Sequence, residues 1–537
     1  MRKILCLVII SLFCLSSILP AVNGIYIEKS ADTLENSLDM GLQLPSSNRW
    51  IKTFGGSGWD EGRSVLQTSD GCYIIIGRTS YGAGGGDVWL IKTDVYGNEL
   101  WNRTFGGSKE EYGYSVKQTS DSCYIIVAET ESFGAGDFDA WLIKTDDDGN
   151  KLWDKTFGGV NVDKGTFVQQ TNDGGFILTG YTESFSDSES DVWLIKTDSY
   201  GNEEWNRTFG GIDSDIGWAV QQTTDGGYII MGLYGLSYMI AANFWLIKTD
   251  GNGNEVWNKT DFSLNAACSG QQTTDGGYII GGWTYQNHFI GDAWLFKTDA
   301  NGDKVWERTY GGGDTDYGIS VQQTAEGGYI ISGETNSYCR EWIDVWLIKT
   351  DVYGNELWNR TFGGPAWDRG WAVQQTIDGG YIITGYTEAY GSCRNDVLLI
   401  KTDYQGLVGE PPEKPVITGE TSGKPDIVYQ YTFMSTDPEE DEISYFIDWG
   451  DNKSTGWIES LPSGEHYNSS HNWSEKGNYI IKAKAKDVYG GESDWATLEV
   501  SMPKNKAINI QLILNRFFFR FPFLVKILNQ IITKKTI

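Results

Sequence analysis

Six loops in this chain place an acidic residue four positions after a Gly-Gly pair: Asp60, Glu111, Asp163, Asp215, Asp316 and Asp368. Asp213 with Asp215, and Asp314 with Asp316, have D-x-D spacing. Oxygen-rich clusters of this kind bind Ca2+. A full Ca2+ loop takes more ligands than one copy supplies, and an Asp at such a place also caps a turn through its own backbone. Both readings stay open for these four residues. A second recurring group is the Lys within an apolar stretch, at Lys92, Lys144, Lys196, Lys248, Lys297, Lys349 and Lys401. Such a Lys lines a ligand site, or it packs its stem and pairs its charge with a nearby carboxylate. Identical residues at every copy favour the structural role. Only three His occur, which leaves little room for His-based catalysis or transition-metal sites.

The Lys belongs to a hexapeptide that returns seven times and sets the architecture. It reads WLIKTD at Trp89–Asp94, Trp141–Asp146, Trp193–Asp198, Trp245–Asp250 and Trp346–Asp351, with variants at Trp294–Asp299 and Leu398–Asp403. Copies are spaced by 52, 52, 52, 49, 52 and 52 residues. A period near 50 with short apolar strands and Gly-rich turns marks a propeller or solenoid. Within one repeat, Ser64–Thr68, Tyr73–Gly77, Asp87–Asp94 and Leu100–Phe105 read as strands, and Ser69-Asp70-Gly71 and Val95-Tyr96-Gly97-Asn98 as turns. Four antiparallel strands make one blade. Trp50 precedes the first hexapeptide and no Trp follows the last, so Trp50–Phe54 is expected to complete the seventh blade beside Leu398–Asp403. That exchange removes two exposed edges. The expected fold is all-β: a closed seven-bladed β-propeller over 48–405, then a PKD-like β-sandwich.

The order GGYIIxGxT, xWLIKTDxxGN, xxWNRTF resembles the repeats of quinoprotein-type (PQQ-type) propellers. There an Asp–Gly turn is joined to an outer-strand Trp, as at Asp94, Gly97 and Trp101. That family holds quinone-dependent dehydrogenases and non-catalytic scaffolds. No paired Cys-Cys and no cofactor set occur here, so no cofactor is expected, and Ca2+ is the candidate cation. Residues 406–414, with Pro411-Pro412, read as a stiff linker. Residues 415–502 resemble PKD-type immunoglobulin-like domains, on Tyr431-Thr432-Phe433, Asp437–Asp441, Tyr445–Asp451, Gly477-Asn478-Tyr479 and Lys482–Asp487. The resemblance implies a spacer or adhesion module.

Compartment follows from the ends and from composition. Met1-Arg2-Lys3, the apolar run Ile4–Leu19 and small residues near Gly24 describe a secretory signal over 1–24. Residues 503–537 hold seven Lys or Arg and no Asp or Glu, with apolar stretches broken by Arg516, Arg520 and Pro522. They read as a basic apolar tail suited to membrane-surface contact. The net charge of −30 repels nucleic acid. Removing the signal leaves Cys72, Cys123, Cys268, Cys339 and Cys393. Cys339 and Cys393, in loops of adjacent repeats, are the disulfide candidate. Sequons at Asn102, Asn206, Asn258, Asn359, Asn452, Asn468 and Asn472 are glycosylation candidates.

Together these features resemble secreted and cell-surface proteins of prokaryotes, archaea in particular. The expected function is a non-catalytic adhesion scaffold whose propeller loops meet an envelope glycan or protein. The alternatives are a propeller enzyme, polysaccharide-cleaving or quinone-dependent, and a structural coat component. An enzyme would place its carboxylates in the irregular segments Leu233–Asn243, Asp261–Ser269 and Trp283–Gly291, which include His288.

Overall fold

The computed structural model describes residues 49–502, except 188, 238–240, 262–264, 285–290, 340–341 and 391–393, together with Arg516, Phe519, Arg520 and Phe523. The proposed signal, most of the basic tail, His288 and Cys393 lie outside the described residues, and with Cys393 the proposed disulfide. No helix among the described residues is long and apolar enough to cross a membrane.

Each repeat forms one four-stranded antiparallel sheet. In the first, Glu61–Gln67, Tyr73–Thr79, Asp87–Thr93 and Glu99–Phe105 pair in chain order. Six sheets follow this plan. The seventh consists of Asp368–Gln375, Tyr381–Thr387, Asp396–Thr402 and, as its fourth strand, Trp50–Phe54. The register there runs from Trp50↔Lys401 to Phe54↔Val397. The second and third strands are apolar on both faces because a neighbouring sheet covers each face. Ile74, Ile76, Val88 and Leu90 of the first sheet share a core with Val116, Tyr124 and Ile126 of the second. On its other face, Val65, Tyr73 and Ile75 share a core with Ile382, Val397 and Leu399 of the seventh.

Three repeated contacts tie neighbouring sheets, the third at every interface except that between the fourth and fifth, and all three also run from the seventh sheet to the first. The fourth-strand Trp lies against the hairpin glycine of the following sheet. A Cβ on Gly149 (φ +78°) would come 2.6 Å from Trp101, so this position needs both the positive φ and the missing side chain. Trp50 meets Gly97 in the same way. The last residue of each first strand is Gln, and its carbonyl oxygen accepts a turn N–H of the preceding sheet. Ser69 N donates to Gln118 at 3.0 Å, and Ile377 N to Gln67 at 2.8 Å. The entry acids form the third contact. A Cβ on Gly210 would lie 2.0 Å from Asp191 Oδ1 and 2.8 Å from Asp215 Oδ2, so glycine lets a third-strand acid and the next entry acid converge. Asp396 and Asp60 converge likewise at Gly55.

A two-sheet sandwich follows. One sheet holds Val416–Gly419, Tyr429–Met434 and Tyr467–His471. The other holds Ser454–Trp457, Ile443–Asp448, Gly477–Asp487 and Ala496–Met502. Tyr431, Phe433, Tyr445, Trp449 and Trp473 fill its core. The preceding segment is anchored: Val408 is buried in the core of the seventh sheet, with Tyr489 of the sandwich packed against it.

Candidate ligand site on the inner strands

The residues that repeat have structural partners. All seven Lys pair with an acid of the turn after the first strand, from Lys92–Asp70 at 3.1 Å to Lys401–Asp378 at 2.9 Å. The sequon Asn of the outer strand is a bracket. Asn102 accepts from the Trp89 indole (3.3 Å) and donates to Glu99 (2.6 Å). Asn206, Asn258 and Asn359 do the same. Asp154 replaces Asn as the acceptor for Trp141 (2.9 Å), and Glu307 does so for Trp294 (3.4 Å), so the position selects for an acceptor. Asn452, Asn468 and Asn472 are exposed on the sandwich.

The D-x-D residues divide. Asp213 and Asp314 are at the surface, whereas Asp215 and Asp316 are buried. Asp215 accepts from the backbone N–H of Gly211 (2.7 Å) and Gly235 (2.8 Å). Asp316 accepts from Gly312 N and from the side chains of Thr335 and Ser337. These bonds use the oxygens a Ca2+ ion would take, so the donor set does not fit the ion. Among the described residues no group of three or more His, Cys, Asp or Glu is arranged to hold a metal.

What remains are three positions per repeat that differ from copy to copy. Each first strand carries a β-bulge after its second, third or fourth residue, for example between Gly62 and Ser64 and between Gly113 and Ser115. The bulged residue is Arg63, Tyr114, Thr166, Trp218, Cys268, Ile319 or Trp371 in sheets one to seven. Bulges re-aim a side chain and concentrate near functional sites. Two residues before each bulge stands a facing pair, equally variable: Glu61↔Arg78, Tyr112↔Glu129, Lys164↔Tyr181, Ile216↔Leu233, Ala266↔Trp283, Tyr317↔Glu334 and Arg369↔Tyr386.

These side chains meet across sheets. The Arg63 guanidinium lies 3.6 Å from the Trp371 ring centroid and 5.9 Å from that of Tyr114. It also pairs with Glu61 at 2.8 Å. The Tyr114 hydroxyl donates to Glu129 (3.0 Å), and Lys164 approaches the other Glu129 oxygen at 2.8 Å. On the far side of the seam, Arg369 pairs with Glu334 at 3.0 Å, and Trp371 lies edge-on to Tyr386 at 5.2 Å. Glu129 and Glu334 are only 2% and 4% exposed. Burial pushes both carboxyls above their ordinary range, opposed by Lys164 and Arg369 respectively. Sheets four and five turn apolar: Leu233 and Ala266 pack with Trp218 and Trp283. The Trp218 indole N–H there is buried without an acceptor. Burial pushes the Cys268 thiol above its usual range, which disfavours the thiolate. The set offers aromatic faces beside cation–carboxylate pairs, a combination that suits a hydroxyl-rich ligand.

Sequence reasoning passed over Arg63, Glu129, Glu334 and Trp371. The signal that could have found them was their divergence at fixed repeat positions.

The molecule is thus an all-β protein of repeated four-stranded sheets with propeller-like blades, followed by a sandwich. Among solved structures, it is similar to the PKD domain of an M14-like peptidase from a Thermoplasmatales archaeon. The two are 48% identical, over 18% of this chain and 100% of that one, with a TM-score of 0.18. At that identity over the relative's whole length, the chain belongs to the PKD-domain proteins through this segment. An exo-beta-1,3-galactanase from Phanerochaete chrysosporium, with galactose, is 10% identical over 76% of this chain and 97% of its own, with a TM-score of 0.28. No family model and no curated protein matches the chain.

Proposed function

We propose that this is a non-catalytic, exported binding protein whose seven sheets close into a propeller, with a carbohydrate ligand held by the variable residues of the inner strands. Closure is supported by the contacts that continue from the seventh sheet to the first: Trp50 against Gly97, and Gln67 with Ile377. The observation that carries the ligand site is the meeting of Trp371, Arg63, Tyr114, Glu129 and Lys164 at positions where a structural repeat would keep one residue type. Export rests on the N-terminal sequence and the PKD domain.

The test is binding of the full chain to isolated cell envelope and to a panel of soluble polysaccharides. Saturable binding is expected, and Trp371→Ala should reduce it at least about tenfold without unfolding the protein, since stacking on an aromatic contributes on the order of 1–3 kcal/mol. Binding that survives both Trp371→Ala and Glu129→Gln would refute the assignment. A second reading is favoured by one observation: two buried carboxyls, Glu129 and Glu334, both with raised proton affinity. Release of reducing sugar that Glu129→Gln abolishes would establish polysaccharide cleavage instead.

A further inference from the structure

The inner strands end in a second repeated pair whose first members are Leu66, Lys117, Gln169, Gln221, Gln271, Gln322 and Gln374. They border a cavity of about 430 Å3 lined by all seven inner strands. Four of these glutamines have a fixed orientation. Gln169, Gln221, Gln322 and Gln374 each accept, through Oε1, the backbone N–H of the last Gln in the next sheet, at 2.8, 2.6, 2.6 and 2.7 Å. A backbone N–H can bond only the carbonyl oxygen of a carboxamide, so the assignment of oxygen and nitrogen is not free. Among the described residues the four amide nitrogens meet no acceptor, and an amide nitrogen is a donor only.

The sequence breaks this pattern with one cation. Lys117 occupies the Gln position on the second sheet, with its ammonium 4.8 Å from the Phe167 ring centroid. It forms no ion pair among the described residues, unlike the seven hexapeptide lysines. Burial lowers its proton affinity, and no carboxylate acts on it. A cavity that presents four amide N–H groups and an ammonium, in a chain of net charge −30, is set against the electrostatics of its own surface. A packing role for Lys117 explains the contact with Phe167. It does not explain why a cavity bordered by four amide nitrogens and this cation has no Asp or Glu among its lining residues.

We propose that this cavity binds an oxyanion through the amide N–H groups of Gln169, Gln221, Gln322 and Gln374 and the ammonium of Lys117. The ligand is a free inorganic oxyanion or the carboxylate of a sugar acid. The inference is independent of the carbohydrate site, which uses other residues of the same strands.

Calorimetric titration of the full chain at constant ionic strength, with sodium sulfate in one arm and sodium glucuronate in the other, distinguishes the two sources. One-site binding is expected in at least one arm. Lys117→Met should weaken it at least about tenfold, as expected for loss of a charge-assisted hydrogen bond. Because Leu66 holds the same repeat position, an apolar residue there is compatible with the fold, and an unchanged melting curve verifies this. Gln221→Glu, which adds a carboxylate to the lining, should weaken binding by a similar factor. Absence of binding in both arms, or affinity unchanged by both substitutions, would overturn the proposal.

Discussion

Raising the pH from about 4 to about 7 is expected to destabilise the repeat domain, against the usual behaviour of acidic proteins. Burial lifts Asp215 and Asp368 from 3.8 to about 6, with nearby acids adding to the effect: Asp191 and Asp213 for Asp215, Glu388 for Asp368. A folded-state acid with raised affinity binds more protons than the unfolded chain between the two values. Stability therefore falls as pH rises through that window, and the loss is complete above about pH 6. A shift of about two units corresponds to roughly 3 kcal/mol per group as an upper figure. Asp70, Asp121, Asp173 and Asp225 act oppositely. Burial opposes ionisation there too, but bonds from the turn Thr and the paired Lys outweigh it and hold each at about 2. Their contribution is present above about pH 4 and lost below it, so the stability optimum should fall near pH 4–5. Asp191→Asn isolates the first effect, because it removes a like charge beside Asp215 and leaves a carboxamide donor in its place. It should stabilise the protein by about 1 kcal/mol at pH 7.5 and by nearly nothing at pH 4.5. Urea unfolding at both pH values, followed by tryptophan fluorescence, reads the difference. A wild-type midpoint that rises between pH 5 and 7.5, or an Asp191→Asn effect equal at both, would refute the reasoning.

Two further substitutions probe the repeated contacts. Asp378→Ala leaves the ammonium of Lys401, whose side chain is 0% exposed, buried without its carboxylate, and should cost about 3–5 kcal/mol in urea unfolding. Asn102→Asp retains the acceptor for the Trp89 indole, as Asp154 does for Trp141, but sets a carboxylate against Glu99 where Asp154 faces Lys151 (3.0 Å), so it should destabilise by about 0.2–1 kcal/mol at neutral pH in urea unfolding, and less in high salt. In a glycosylating host, the same substitution lowers the mass of the intact protein only if Asn102 carries a glycan.

The blade was legible because its determinants recur. The turn glycines, the apolar runs and the Trp offset gave four strands per repeat, and the missing eighth Trp predicted the partner of Trp50–Phe54, which pairs with Asp396–Thr402. The first strand begins earlier than the Ser64 start read from the sequence, at Glu61, because the bulge at Arg63 interrupts the alternation that marks a strand. That interruption also concealed the site. A residue aimed by a bulge obeys no period, and variation at one repeat position reads as tolerance until the strands are placed side by side. The Gln-Gln ends were hidden differently. They repeat in five of the seven sheets as a structural pair would, and only the direction of each carboxamide separates the intersheet bond from the donor left over.

The two kinds of position change in different ways, and the fourth interface shows why. Where other interfaces set a third-strand Asp against an entry acid, sheets four and five carry Asn243 and Asn265 at the equivalent register positions. Both acids became amides. A carboxylate buried with no group to share its charge or proton is costly, so loss of the acid on one side favours an uncharged residue on the other. The bulged residues follow no such rule: Arg63 stands between Tyr114 and Trp371, and no repeat copies its neighbour. Contacts that hold the sheets together impose pairwise matching around the repeats, whereas contacts with a ligand lacking the protein's repeat impose difference. The bulge supplies seven equivalent mounts whose residue type the repeat leaves unspecified, and the proposed carbohydrate site is built on them.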